Sequence, residues 1–329
     1  MGRIDMNRNA EAITVFCSRL CVADDIQPLE IREWSRLAEQ LVSLNLQPEY
    51  LLDFERQDFI DRLQASEEEA ERYVRLLDRS GSLRFELSKY EDMGILVITR
   101  ADSEYPRQLK KKLGNACPPL FYYAGNLGLL NRESVGFVGS RSVAPTDIEF
   151  TRRTIAKTAA NEYSVVSGGA KGIDTVATSS SLSEGSSAIE YLSDSMLRKM
   201  RDPDLLRAIR DDRVLLMSVV VPTAGFNVGI AMMRNRYIYA QSSGTVVVRS
   251  DLGKGGTWAG AAENLKKSVC PTFCRDYDYP GNRELIKMGA VPIDDEWDGN
   301  VDVPCETVSP SAVEEKREVQ MKQISLFDL

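Results

Sequence analysis

The chain contains no histidine. Ser-His and Cys-His nucleophilic machinery, histidine general bases and histidine-containing metal sites are therefore excluded, leaving carboxylates, lysine, tyrosine and the backbone for any chemistry. Cysteine is scarce too: six in 329 residues, namely Cys17, Cys21, Cys117, Cys270, Cys274 and Cys305. The spacing within 17/21 and 270/274 is not that of a zinc knuckle, so buried free thiols are expected, with no metal site and no cofactor. No run of eighteen apolar residues occurs, and "MGRIDMNRNAEAITVF" is too polar for a secretory signal. A cytoplasmic protein without a membrane span is expected.

Positive charge is in deficit overall, at a net −8, but the deficit is local. Residues 291–329 hold ten acids against three bases, a net of −7. The other 290 residues carry 38 bases and 39 acids, a net of −1. A nearly neutral body is free to carry a basic patch, so the acidic total does not exclude nucleic acid.

Three regions follow from the patterning. Residues 1–90 are charged and leucine-rich with helical spacing: Ile31, Trp34, Leu37, Ala38 and Leu41 share one face, two further amphipathic segments follow, and Gly81 reads as a helix stop. From about 91 to 290, apolar runs near 135–139, 164–167, 186–192, 214–221, 244–249 and 268–274 alternate with helical segments near 146–161, 172–184, 203–210, 228–240 and 256–267. That alternation predicts an α/β domain, a mostly parallel sheet with helices on both faces and ligands at the carboxyl ends of its strands. Residues 291–329 read as an acidic tail too poor in apolar residues to fold alone.

Glycines and cations recur at the predicted strand ends. "VGSRS" places Gly139, Ser140 and Arg141 after one strand, and "VVSGGAKGID" places Gly168, Gly169 and Lys171 after the next. Glycines let backbone N–H groups at a helix start approach a phosphate, and a guanidinium and an ammonium complete an anion pocket. Simple turn-making, with Arg141 paired to Asp174 and Lys171 in solvent, fits the same residues. In "MMRNRYIYA", Arg234, Asn235 and Arg236 must spread around a helix, so one of them turns inward and needs an anion or Asp174 as partner. In "KGGTWAGAAE", Gly256 and Thr257 precede a helix near Trp258; Thr257 reads as an N-cap or as part of a second anion-facing terminus, and Trp258 as core or as a base-stacking platform.

In order and spacing these segments resemble the DNA-processing protein A family, also called Smf, from about residue 94 to 290. "GILVITRADSEYPRQLK", "PPLFYYAGNLGLL", "VGFVGSR", "VVSGGAKGID", the Arg-Asn-Arg and the glycine turn before "TWAGAAENLK" carry the likeness. It implies an extended Rossmann-like domain, dimeric and non-enzymatic, that binds single-stranded DNA and loads the RecA recombinase in natural transformation or recombination. Arg141 and Lys171 match the basic residues of its two motifs and look like phosphate contacts. Departures from the family are Ala177-Thr178 in place of Ala-His, an altered "VVVPTAGFNVGIAMMRNR", and no evident winged-helix domain. The terminal "QISLF" resembles the peptide by which bacterial DNA-maintenance proteins dock on the DNA polymerase sliding clamp, with Gln323, Leu326 and Phe327 as anchors.

A different class competes. The superfamily likeness extends to nucleotide-sensing domains and cytokinin-activating phosphoribohydrolases, which use Pro-Gly-Gly-x-Gly-Thr followed by a glutamate. Here the proline is missing and Glu263 lies six residues beyond Thr257, so the catalytic spacing fails.

Overall fold

The computed structural model describes residues 6–22 and 26–302. The helices α1 (Arg8–Cys17), α2 (Ile31–Ser43), α3 (Arg56–Leu63), α4 (Glu67–Asp78) and α5 (Ser80–Asp92) come first. Local chemistry sets their limits. Ser66 and Glu69 form a reciprocal cap at the start of α4, satisfying otherwise orphaned N–H groups. The α2 face carries buried Trp34, Leu37 and Leu41, as its periodicity predicts. Gly81 does not stop a helix but lies in the first turn of α5; the break falls at Arg79. Its buried guanidinium donates to the carbonyls of Val15, Ser18 and Leu20 and so caps the end of α1.

The remainder alternates: β1 (Leu96–Thr99), α6 (Arg107–Leu113), β2 (Leu120–Gly125), β3 (Ser134–Val138), α7 (Pro145–Ala160), β4 (Ser164–Ser167), α8 (Ile173–Ser183), β5 (Ala188–Leu192), α9 (Met196–Lys199), α10 (Pro203–Arg210), β6 (Val214–Ser218), α11 (Val228–Gln241), β7 (Gly244–Val247), α12 (Gly255–Lys267), β8 (Thr272–Arg275), α13 (Pro280–Lys287) and β9 (Val291–Ile293). The strands form one sheet in the order β1-β2-β6-β5-β4-β3-β7-β8-β9, antiparallel at β1–β2 and β2–β6 and parallel between the other neighbours. Strands β3 to β8 are buried along their whole length. Both faces are therefore covered, the reason these strands read as continuous apolar runs.

Alternation along each strand feeds two cores. Val135, Phe137, Val165 and Val246 face the side covered by α7, α8, α10 and the N-terminal helices. Val138, Val166, Val247 and Met217 face α6, α11, α12 and α13. Phe137 is fully buried, and truncating such a side chain to alanine costs about 3–5 kcal/mol. The apolar core of the N-terminal helices is continuous with the first of these faces, and Ser18 meets the Tyr122 hydroxyl of β2 at 2.7 Å.

The acidic tail begins later than composition indicates. Val291–Ile293 pairs with β8, Trp297 packs on Phe273 with ring centroids 5.3 Å apart, Arg153 grips Asp295 at 3.0 Å, and Val301 is buried. A few large side chains suffice to order an acidic segment when the body supplies a sheet edge and cations. Gln323, Leu326, Phe327 and Cys305 lie outside the described residues. Of the remaining cysteines, Cys117, Cys270 and Cys274 are buried, Cys17 is half-buried, and Cys21 is exposed rather than buried as expected. Among the described residues there is no cluster able to hold a metal ion, and no helix is long and apolar enough to cross a membrane.

Candidate functional site

The chain runs from β3 to β4, β5 and β6 in one direction and then returns to place β7 on the other side of β3. The connections leaving β3 and β7 thus diverge, and such a switch point opens a crevice at the strand ends. Two cavities occupy it. One, of about 350 Å³, lies among Gly139–Arg141, α11 and the start of α12. The other, of about 700 Å³, lies among Gly168–Lys171, Arg198 and Lys199. Arg141, Ala170 and Phe226 line both, so the two are halves of one cleft.

Close backbone approach explains the glycines. A Cβ at Gly172, whose φ is +85°, would stand 2.4 Å from the Ser140 carbonyl oxygen, and one at Gly139 would collide with Ile173. The Ile173 N–H donates to that same Ser140 carbonyl at 3.3 Å. The loops after β3 and β4 are thereby locked together. Thr257 ties in the third element by donating from Oγ1 to the Gly139 carbonyl at 3.0 Å. It is not the N-cap: α12 begins two residues earlier, at Gly255, behind Lys254. Asn235 donates to the Gly256 carbonyl at 3.0 Å, joining α11 to α12.

Of the arginines in α11, Arg234 is the one that turns inward. It is 4% exposed, and its Nη1 stands 3.7 Å from Asp174 Oδ2. Burial pushes the Asp174 carboxyl up against the pull of Arg234, and burial likewise pulls Arg234 down while Asp174 and Glu190 raise it. Nε and Nη1 of Arg234, and the Tyr239 hydroxyl, are buried beside the smaller cavity without a hydrogen-bond partner among the described residues. Beneath the glycine loop a second pair repeats the pattern: Lys199 Nζ lies 3.0 Å from Glu190 Oε2 and donates to the Gly169 carbonyl at 3.1 Å. Thr178, where the resembled family has histidine, donates to Glu190 Oε1 at 2.7 Å.

The cleft therefore gathers Gly139, Ser140, Arg141, Gly168, Gly169, Lys171, Arg234, Asn235, Gly256 and Thr257. Arg236 is left out. It faces α12 and pairs with Glu263 at 3.0 Å, a carboxylate shared with Lys267. Burial raises Glu263, but Lys267 and Arg236 outweigh it and hold the carboxyl below the usual range. Trp258 is partly buried against the core. Arg141 does not pair with Asp174; its guanidinium sits 4.9 Å over the ring of Phe226. Phe226, 48% exposed, and the neighbouring Val228 and Met232 give the cleft an apolar lip. Sequence reasoning passed over Phe226, although an aromatic residue in "PTAGFN" has no amphipathic pattern to place it in a core.

A doubly covered, mostly parallel sheet with a glycine-floored, arginine-rimmed cleft at its switch point defines a Rossmann-like protein. Over residues 96–299 the chain matches the DNA recombination-mediator protein A family, and it belongs to that family. It is 34% identical over 122 residues to DNA processing protein DprA of Streptococcus pneumoniae (strain ATCC BAA-255 / R6), a match covering 37% of this chain and 40% of that protein. The match thus spans about two fifths of that curated relative's length. The X-ray structure of DNA processing protein A from Streptococcus pneumoniae shares the fold, with a TM-score of 0.67 at 20% identity over 88% of this chain and 95% of that one. DNA processing protein A from Helicobacter pylori, whose structure is described for its unique single-stranded DNA binding mode, aligns at 24% identity over 60% of this chain and 90% of that one, with a TM-score of 0.49.

Proposed function

We propose that the cleft binds single-stranded DNA, with Arg141 and Lys171 on phosphates and Phe226 stacked on a base. One observation carries this: Arg141 lies over an exposed aromatic ring at the junction of the two cavities, with Lys171 lining one of them. Phosphates need cations and backbone donors, whereas unstacked bases need an apolar platform, and only a single strand presents both together. Duplex DNA hides its base faces. A fluorescence-anisotropy titration of one labelled oligonucleotide, single-stranded and annealed to its complement, tests the reading. Tighter binding of the single strand supports it, and equal or tighter binding of the duplex overturns it.

The finer role extends the family membership. The chain acts in recombination or transformation-like DNA processing, and RecA is the expected recombinase partner. The "QISLF" segment docks on the sliding clamp through Gln323, Leu326 and Phe327. A homodimer forms through the groove of Ala262, Leu265 and Met288, which Glu263, Lys266 and Lys267 also line. Met288 is exposed there, and a second copy would cover it. A Leu265→Glu, Met288→Glu variant should sediment as a monomer.

A further inference from the structure

Arg249 follows β7 in the run "TVVVRS", where nothing in the sequence singles it out. Its side chain lines the smaller cavity together with Arg141, Arg234 and Lys254. Its Nη1 is 3.3 Å from Asp147 Oδ2, its guanidinium lies 4.7 Å over the Tyr279 ring, and its Nε is buried without a hydrogen-bond partner among the described residues. Asp147, fully buried in the first turn of α7, is the hub of this cluster. Its Oδ1 accepts from Arg275 at 2.8 Å and from the Tyr279 hydroxyl at 2.7 Å, and its Oδ2 accepts from the Ala144 N–H at 2.9 Å.

One carboxylate thus serves two guanidiniums, and the cluster keeps one positive charge in surplus. Arg275 is the guanidinium held inside: it has the shorter contact to Asp147, its side chain is 8% exposed, and it lies over the rings of Phe150 and Tyr277 at 4.6 and 4.1 Å. The surplus therefore falls to Arg249, whose side chain keeps 27% of its surface open. Two further acids line the same cavity, Asp174, which faces Arg234 at 3.7 Å, and Asp251; among the described residues neither makes an ion pair to Arg249 within 4.0 Å.

We infer that Arg249 is a further phosphate contact of the strand, and that Asp147 and Tyr279 are positioning residues that aim it into the cleft. The inference rests on the strand-binding reading and adds a subsite to it. Arg141 and Arg249 then line the smaller cavity together with the start of α12.

The test uses the full chain and a labelled oligothymidylate titrated at several salt concentrations, with thermal melting as the folding control. With Arg141 and Lys171 intact, Arg249→Gln should weaken binding roughly tenfold and flatten the slope of log affinity on log salt by about 0.7. Tyr279→Phe keeps the ring and the net charge but frees Asp147 from the hydroxyl. It should weaken binding a few-fold in the native background and not at all in the Arg249→Gln background. A wild-type chain that binds in a salt-dependent way while Arg249→Gln matches it in affinity and slope overturns the subsite alone. Equal weakening by Tyr279→Phe in both backgrounds overturns the positioning role. A wild-type chain that fails to bind removes the parent reading and this subsite with it.

Discussion

The backbone of Gly168 passes directly against the guanidinium of Arg234: a Cβ built at residue 168 would stand 1.0 Å from Nη1. The second glycine of the pair plays the same part for the second ion pair, since a Cβ at Gly169 would stand 2.7 Å from Glu190 Oε2. These glycines make room for buried charge beneath the cleft floor, and the loop's own N–H groups turn inward as well: that of Gly169 donates to Ser167 Oγ at 3.4 Å and that of Ala170 to Asp174 Oδ2 at 3.3 Å. Gly168→Ala should therefore displace a 4%-exposed arginine from Asp174. We expect a loss of about 1–3 kcal/mol in stability from the overpacking, measurable by denaturant unfolding, with weaker DNA binding at temperatures where the variant is still folded.

Phe226 separates stacking from charge. Phe226→Ala should lower single-strand affinity by about 1–3 kcal/mol for the base that stacks there. The salt slope should stay unchanged, because every cation facing a phosphate is still present. Abasic oligonucleotides should bind the wild type and the variant alike, which anisotropy titrations can check.

Arg236 serves as the contrast. Its pair with Glu263 is half exposed, with side-chain accessibilities of 49% and 32%. Arg236→Ala should cost no more than about 1 kcal/mol in stability and leave DNA affinity and salt slope unaltered, although it is the nearest arginine in sequence to the buried Arg234.

Acid stability should depend on Asp147. Burial alone would push its carboxyl up, but the Ala144 N–H, the Tyr279 hydroxyl and the guanidiniums of Arg249 and Arg275 outweigh it and hold the group below its ordinary value. A carboxyl lowered in the folded state stabilises the fold fully above the unfolded-state value of about 3.9, and that stability is lost as the pH falls through the lowered folded value. The melting temperature of the wild type should drop below about pH 4 more steeply than that of Asp147→Asn. The variant itself should be less stable at neutral pH by about 3–5 kcal/mol, since two guanidiniums lose their shared carboxylate.

The six strands from 134 to 275 were legible because each is buried on both faces, and helices such as α10 and α11 because a polar cap or a proline marks their start. β1, β2 and β9 were not legible as part of the same sheet. Leu120–Gly125 lies in a proline-punctuated connector, and Val291–Ile293 has two exposed residues and no alternation. The glycine loops and their cations could be placed at the strand ends from sequence, because strand termination and glycine leave a local signature. Arg249 and Asp147 could not, since they lie 102 residues apart and only the sheet order brings them together. Arg234, Asn235 and Arg236 showed the limit from the other side: helical geometry requires one to turn inward, and packing decides which.

The most direct measurement is the salt dependence of single-strand binding for the wild type and for Arg141→Ala with Lys171→Ala. Removing one phosphate-neutralising cation should flatten the slope of log affinity on log salt by about 0.7, so the double variant should be shallower by about 1.4 as well as weaker. Parallel lines for the two proteins would contradict a strand held by its phosphates at this cleft.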